Sequence, residues 1–176
     1  MSGEWTGTST PYLGSGQGDV WKQEAAAQGR KGSQRIVFAG ETAVSAEAAG
    51  ALGVPGDTMV VARQRLILSD DEPVELAVSY WPLAVAGGTL LARPGKIRGG
   101  AVTFLAECGY TPTSVEEHVY TRPATDEERD TLHLEPSEWV LVLVRSIAGD
   151  DGRPYEAAVN VSPGRIGRLN YSMKVA

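Results

Sequence analysis

Apolar and polar positions along this chain run through the same order twice, eighty residues apart. Residues Ser45–Leu52 and Thr125–Leu132 each open on a hydroxyl side chain, carry an acid near the first turn and end on leucine. That pattern predicts two short helices capped by Ser45 and Thr125. Thr58–Arg65 and Glu138–Arg145 follow as β-rich runs, and Arg65 and Arg145 fall on the same position. Asp70-Asp71 and Asp150-Asp151 come next, as turns whose backbone angles Asp and Gly tolerate. The returning strands then carry Glu75 and Glu156, with one extra residue, Arg153, moving the offset to eighty-one. The unit is helix, strand, turn, strand, used twice. Two copies are too few for a solenoid. The expectation is two hairpins in one antiparallel sheet, related by a pseudo-twofold axis.

The rest of the pattern fits around these copies. Gln34–Val44 is expected as the first strand, Pro112–Arg122 as another and Arg165–Val175 as the last. Gly99–Gly109 reads as a glycine-led helix on the sheet, closed by Gly109. Asp19–Gln28 reads as a short helix capped by Asp19 and ended by Gly29. Residues 1–18, rich in Gly, Ser and Thr, are expected to be a loose leader, 19–33 a short helix and linker, and 34–176 the ligand-binding domain. The fold class is α+β.

Composition narrows the function. A chain of 176 residues is one domain by length. Its net charge of −6 and scattered basic residues argue against direct nucleic-acid binding, which needs a basic face. Nothing approaches an apolar run of about 18 residues, so no membrane span is expected. The N-terminus has neither the basic nor the apolar region of a secretory signal. One cysteine, Cys108, excludes an internal disulfide framework, and a cytoplasmic protein is expected. Cys108 itself reads as a core residue inside its helix. His118 and His133 are far apart in sequence and lack metal-ligand spacing, so neither a metal nor another cofactor is expected. Gly14–Gly18 follows no predicted strand and lacks the Lys-Ser/Thr of a phosphate loop. Trp139 and Val140–Val144 read as core strand, Tyr80 and Trp81 as core or pocket wall.

The charged residues of the repeat are the candidate chemistry. Residues two apart on a strand share a face, so Arg63 and Arg65 project together, as do Glu75 and Ser79. The turn brings Arg65 near Glu75, and the repeat places Arg145 and Glu156 likewise. Two readings follow. The arginines and glutamates pair as cross-strand salt bridges on a solvated face, or they line a site for a small polar or anionic ligand. Gly99 and Gly100, at a helix start, would add backbone N–H groups that suit an anion.

The stretch Val61–Pro82 resembles the effector-binding UTRA domain of HutC-type regulators in the GntR family. The matching pieces are Arg63-x-Arg65, the Asp-x-x-Pro turn, Glu75 and Ser79-Tyr80-x-Pro82. Arg145, Asp151–Glu156 and the Gly99–Gly109 helix fit the later parts of that domain, so the resemblance covers roughly residues 34–175. It implies a chorismate-lyase-like fold, an antiparallel sheet flanked by helices with the ligand between the halves. It also places pocket residues on Arg63, Arg65, Glu75 and Glu156, and the loop before the central helix on Lys96–Ala101. Gly100 stands where many members have serine, and Ser162 where tyrosine is frequent. A sugar-phosphate effector of the commoner kind is therefore not expected. The winged helix of such regulators finds no counterpart ahead of residue 34, and two accounts follow, a natural stand-alone domain or a fragment of a longer regulator.

The resemblance implies a stand-alone effector sensor that binds a small molecule, dimerises, and passes its signal through a regulator partner. A rival is an enzyme built on the same pocket, of cyclase, isomerase or lyase type, with Glu75 or Glu156 as acid or base. A purely structural interaction module is the third possibility.

Overall fold

A computed structural model describes residues 5–7, 9–16 and 19–173. The elements in chain order are β1 (Trp5–Gly7), a 3-10 turn (Thr10–Tyr12), α1 (Val20–Ala27), β2 (Gly32–Ala43), α2 (Ala46–Leu52), β3 (Met59–Ser69) and β4 (Glu72–Pro82). After them come α3 (Leu83–Ala86), a 3-10 turn (Leu90–Ala92), α4 (Gly100–Glu107), β5 (Ser114–Pro123), α5 (Asp126–Leu132), β6 (Trp139–Ala148), β7 (Pro154–Pro163) and β8 (Tyr171–Met173).

Six strands form one antiparallel sheet in the order β2-β3-β4-β7-β6-β5. Each half is one copy of the repeat, and the copies meet where β4 pairs with β7. In that pairing Val78 lies opposite Val159, its own equivalent eighty-one residues on. The pseudo-twofold axis therefore passes between these two valines. The symmetry reaches well beyond the hairpins. Ala43 faces Met59 as Pro123 faces Trp139, and the amides of Val44 and Ala124 donate to Thr58 O and Glu138 O. Ser45 and Thr125 cap α2 and α5, as their sequence positions predict. Both helices end on a left-handed residue, Gly53 in one and His133 in the other. Even the bulges match, since the ladder slips at Ile67/Leu68 and again at Ile147/Ala148.

The two sheet faces are covered differently. On one, α2 and α5 bury Ala48, Leu52 and Leu132 against Val60, Leu66, Val140 and Val142. On the other, α3, the second 3-10 turn and α4 pack Ala86, Leu91 and Leu105 against Val61, Trp81 and Ile147. Helix α1 joins at the corner of this second face, where the Trp21 indole N–H donates to Leu68 O at 2.9 Å.

Four expectations need correction. Trp139 is 55 % exposed, because it begins β6 opposite Pro123 at the outer end of the sheet. Cys108 is exposed, since α4 stops at Glu107 and the cysteine is the residue that ends it. The last strand is only Tyr171–Met173 and leaves the main sheet. The chain turns away at Pro163, where Gly164 N–H donates to Trp139 O, and β8 pairs with β1 instead. Lys174 and Val175 lie outside the described residues. The opening segment, expected to be loose, carries β1 and a 3-10 turn. Leu13 packs into the second core cluster and Gly16 N–H donates to Thr103 Oγ1 on α4 at 3.1 Å. Residues 1–4, 8, 17 and 18 of that leader lie outside the described residues.

The two caps offer a test of the repeat's energetics. Each accepts one backbone N–H, and Thr125 belongs to a capping box with Glu128. Ser45→Ala and Thr125→Ala should each cost about 1 kcal/mol, and together they should add, because they serve separate helices. Urea melts of the two single variants and the double variant measure this.

Candidate functional site

The second sheet face carries the charged residues of both copies. In register, Arg63 lies opposite Ser79, Arg65 opposite Ala77, and Arg145 opposite Ala158. The matched bulges leave Glu75 opposite Ile67 and Glu156 opposite Ile147. A bulge re-aims side chains. At the second one Tyr155 enters the second core cluster while Glu156 accepts from the indole N–H of Trp81 at 2.9 Å. The pairing of β4 with β7 then brings the two halves together, so Arg65, Arg145, Glu75 and Glu156 share one electrostatic environment.

These four groups do not form direct ion pairs among the described residues; the salt bridges there involve other side chains. The cross-strand salt-bridge reading therefore does not describe them. Three of them are held separately. Glu75 Oε2 accepts from Ser162 Oγ at 3.2 Å, and Arg65 reaches Gln34 Oε1 at 3.4 Å. Arg145 has no hydrogen bond or ion pair to any described residue, and its Nε is buried. A buried guanidinium nitrogen without an acceptor is costly. Arg145 is the least satisfied group on this face.

Burial governs the electrostatics. It pushes both Glu75 and Glu156 above the ordinary carboxylate range, against the pull of Arg65 and Arg145 and of the hydrogen bonds from Ser162 and Trp81. It also lowers Arg65 and Arg63, but an arginine keeps its charge. Arg65 and Glu75 retain some solvent contact as whole residues, whereas their charged ends sit deep in protein. Burial thus opposes ionisation of the two carboxyls, while the guanidiniums keep their charge.

The remaining sequence-derived residues take different places. Arg63 is 5 % exposed and already engaged, donating to Arg93 O at 2.8 Å and to Gly95 O. It fastens the loop that leads to α4. Ser79 is buried beside it in register. Gly99 and Gly100 both adopt positive φ at the start of α4, and a Cβ at Gly100 would meet open space. They connect to the charged cluster through the Arg63-held loop. Trp81 is fully buried and carries the indole that fixes Glu156. The sequence reading missed Glu117, opposite Arg145 in register, and the tyrosines Tyr12 and Tyr171 that border the face. All three lie outside the repeat's charged pattern, so periodicity gave no signal for them.

A concavity of about 640 Å³ opens on the opposite face, along the pseudo-twofold axis, with Val78, Val159, Ser45 and Thr125 in its wall. None of its lining residues has a buried polar atom without a hydrogen-bond partner among the described residues. Arg122 holds Glu128 through two contacts of 2.7 Å, and the Ser45 and Thr125 hydroxyls cap their helices. The charged face has the unsatisfied buried groups, and on that ground it is the better candidate.

Comparison with known proteins agrees with this architecture. The UTRA domain family matches residues 27–166. This chain belongs to the UTRA domain family. An uncharacterized HTH-type transcriptional regulator of Streptomyces coelicolor is 34% identical over 134 residues, which are 74% of this chain and 50% of the relative. The chain thus spans half the length of that regulator. A GntR-family transcriptional regulator of known crystal structure superposes with a TM-score of 0.74 at 28% identity, covering 88% of this chain and 64% of that one. The C-terminal domain of the histidine utilization repressor from Pseudomonas syringae pv. tomato shares the fold at 21% identity. Its TM-score is 0.67, over 80% of this chain and 96% of that one. The UTRA domain here has the fold of GntR-family effector domains. No helix among its described residues is long and apolar enough to cross a membrane.

The raised carboxyls make a pH prediction. Folded Glu75 and Glu156 hold their protons above the ordinary value of 4.5 that the unfolded chain would show. The folded state therefore binds more protons, and the contribution of these groups to stability falls as pH rises from that value through the folded ones. Glu75→Gln and Glu156→Gln remove the ionisation. The stability of each relative to the unmodified chain should rise with pH across that window and then level off. Urea melts over a pH series would read it, and a difference that does not vary with pH would contradict the burial argument.

Proposed function

We propose that this UTRA domain is an effector sensor that binds a small anionic molecule on its charged sheet face. Arg65 and Arg145 hold the anionic group, while Glu75, Glu156 and Ser79 address hydroxyl or amine groups of the ligand. Arg63 shapes the loop before α4, and Gly99 and Gly100 allow a close approach of backbone to ligand. The observation that carries this reading is Arg145, whose buried Nε lacks an acceptor among the described residues. A ligand carboxylate or phosphate supplies one in a geometry that suits a guanidinium fork. The signal passes to a DNA-reading domain or partner protein, in keeping with the regulators this chain resembles. A homodimer belongs to the same reading, since β2 and β5 end the sheet with edges that no other described strand pairs.

Thermal unfolding in the presence of phosphate, sulfate and small carboxylates tests the proposal. A ligand that binds only the folded state adds about 2.7 kcal/mol at a hundred times its Kd. Such an anion should raise the Tm of the unmodified chain, and Arg145→Ala should abolish the rise. An equal rise in both proteins would refute the assignment.

A second reading, an acid–base enzyme on the same face, is favoured by the upward shift of both carboxyls through burial, since a carboxyl that holds its proton more tightly is better suited to act as a general acid. Candidate acids with elimination or cyclisation chemistry are the substrates to screen. Turnover of one of them that falls at least a hundredfold in Glu156→Gln or Glu75→Gln would favour the enzyme. Turnover that survives both changes would exclude these residues as its acid or base.

A further inference from the structure

Glu117 and Arg145 stand opposite each other on β5 and β6, so their side chains rise from the same face of the sheet, about 5 Å apart at the backbone. Opposite charges so placed ordinarily pair across the strands. These two do not, since no salt bridge joins them among the described residues. Tyr171, in β8, donates its hydroxyl to Glu117 Oε2 at 2.8 Å and so fixes the carboxylate. The other oxygen, Oε1, is buried without a hydrogen-bond partner among the described residues, as is the Nε of Arg145. A lone acceptor and a lone donor thus belong to neighbouring side chains, and both residues keep some solvent contact as a whole.

The repeat does not generate this arrangement. Arg65, the counterpart of Arg145, has Ile36 opposite it on β2. The Arg145 half sets a carboxylate beside its arginine, and the Arg65 half sets an apolar side chain there. A bare anion bound at Arg145 would meet Glu117 as a like charge at close range and would leave Oε1 without a donor. A ligand that carries its own proton donor next to the anion removes both costs. A carboxylate offers acceptors and a guanidinium offers donors, so the two residues select a ligand with the reverse order of charge.

We propose that Glu117 is a ligand-contacting, specificity-setting residue of this site, and that the ligand is an ampholyte with its anionic group at Arg145 and an ammonium or other N–H donor at Glu117 Oε1. This rests on the anion-site reading above and adds a second charge to it. Tyr171 holds Oε2 and leaves Oε1 for the ligand, so the acceptor is positioned before binding. Because Ile36 stands on the β2 side where β5 has Glu117, the cationic end of the ligand points towards β5. Amino-carboxylates and amino-phosphates whose two charged groups lie a few bonds apart are the class that fits.

The test uses the full chain and matched pairs of probes: acetate with glycine, propionate with β-alanine, and butyrate with γ-aminobutyrate. Members of a pair differ only by the amino group, and the rise of Tm with concentration gives the Kd of each. In the unmodified chain at least one amino acid should bind about tenfold tighter than its plain carboxylate, the gain of one charge-assisted hydrogen bond. Glu117→Gln should erase that preference and leave the plain carboxylate bound at least as well. Glu116→Gln removes the same charge from the opposite, exposed face of β5 and should keep the preference. If carboxylates bind through Arg145 but no amino acid is preferred, the assignment of Glu117 is overturned and the anion reading stands. That outcome needs no substitution at Glu117, so it holds whether or not the variant folds. A preference that survives Glu117→Gln also overturns the assignment. Probes that bind Arg145→Ala as they bind the unmodified chain, or that bind neither, defeat the anion reading itself and this assignment with it.

Discussion

The antiparallel pairing of β4 with β7 is the constraint on which the rest depends. It sets Val78 against Val159 and so places a pseudo-twofold axis at the centre of a six-stranded sheet. Once that axis is fixed, a charge placed on one face of one copy acquires a symmetric partner within a few strands. Arg65 and Glu75 would be two marginal charges in an isolated hairpin. Doubled across the axis they become two guanidiniums and two carboxyls in one buried environment. Burying charges is expensive unless they are paired and hydrogen-bonded, and here direct ion pairs are lacking among the described residues. The arrangement costs stability, as the proposed role of this face in binding would lead one to expect.

The two faces show what the same symmetry does with apolar and with polar side chains. On the α2/α5 face, repeat-related residues are Ala, Val and Leu, and they fill the space between helices and sheet. Their caps and the Arg122–Glu128 pair satisfy the polar groups at its rim. On the charged face the covering elements, α3, α4 and the second 3-10 turn, occur once rather than twice. Symmetry is thus kept in the framework and broken in the cover. Such a division lets a duplicated scaffold hold a ligand that has no symmetry of its own.

Much of this was legible in the sequence, for physical reasons that can be named. Caps at Ser45 and Thr125, turns at the aspartate pairs and the shared place of Arg65 and Arg145 are local or periodic signals, and the structure realises each of them. The resemblance carried by Arg63, Arg65, Glu75 and the glycine-led helix led to the right family. What escaped depends on contacts between distant segments. Gly/Ser/Thr-rich composition suggested a loose leader, but composition does not register that Leu13 finds an apolar cluster or that Gly16 finds Thr103. The shape of the tail was missed for the same reason, since only the fold brings β8 to β1. Arg63 differs again. Its side of the strand was predicted correctly, yet its engagement with Arg93 O and Gly95 O could not be anticipated from spacing.

Arg63 and Arg145 play different structural parts on the charged face. The two are not equivalents under the repeat, since Arg145 corresponds to Arg65 and Arg63 to Leu143. Arg63 spends its donors on backbone carbonyls, which removes conformational freedom from the loop before α4. Arg145 makes no hydrogen bond among the described residues, and its buried Nε has no acceptor there. Under the proposed anion reading, a ligand that meets Arg145 gains a charge-assisted hydrogen bond without first breaking a protein one. It also encounters a loop that Arg63 has already ordered, which lowers the entropic cost of binding. Arg63, whose position in the second copy is Leu143, breaks the symmetry of the charged face by tying down a loop that only one half possesses, and under the proposed reading that asymmetry gives the site a direction.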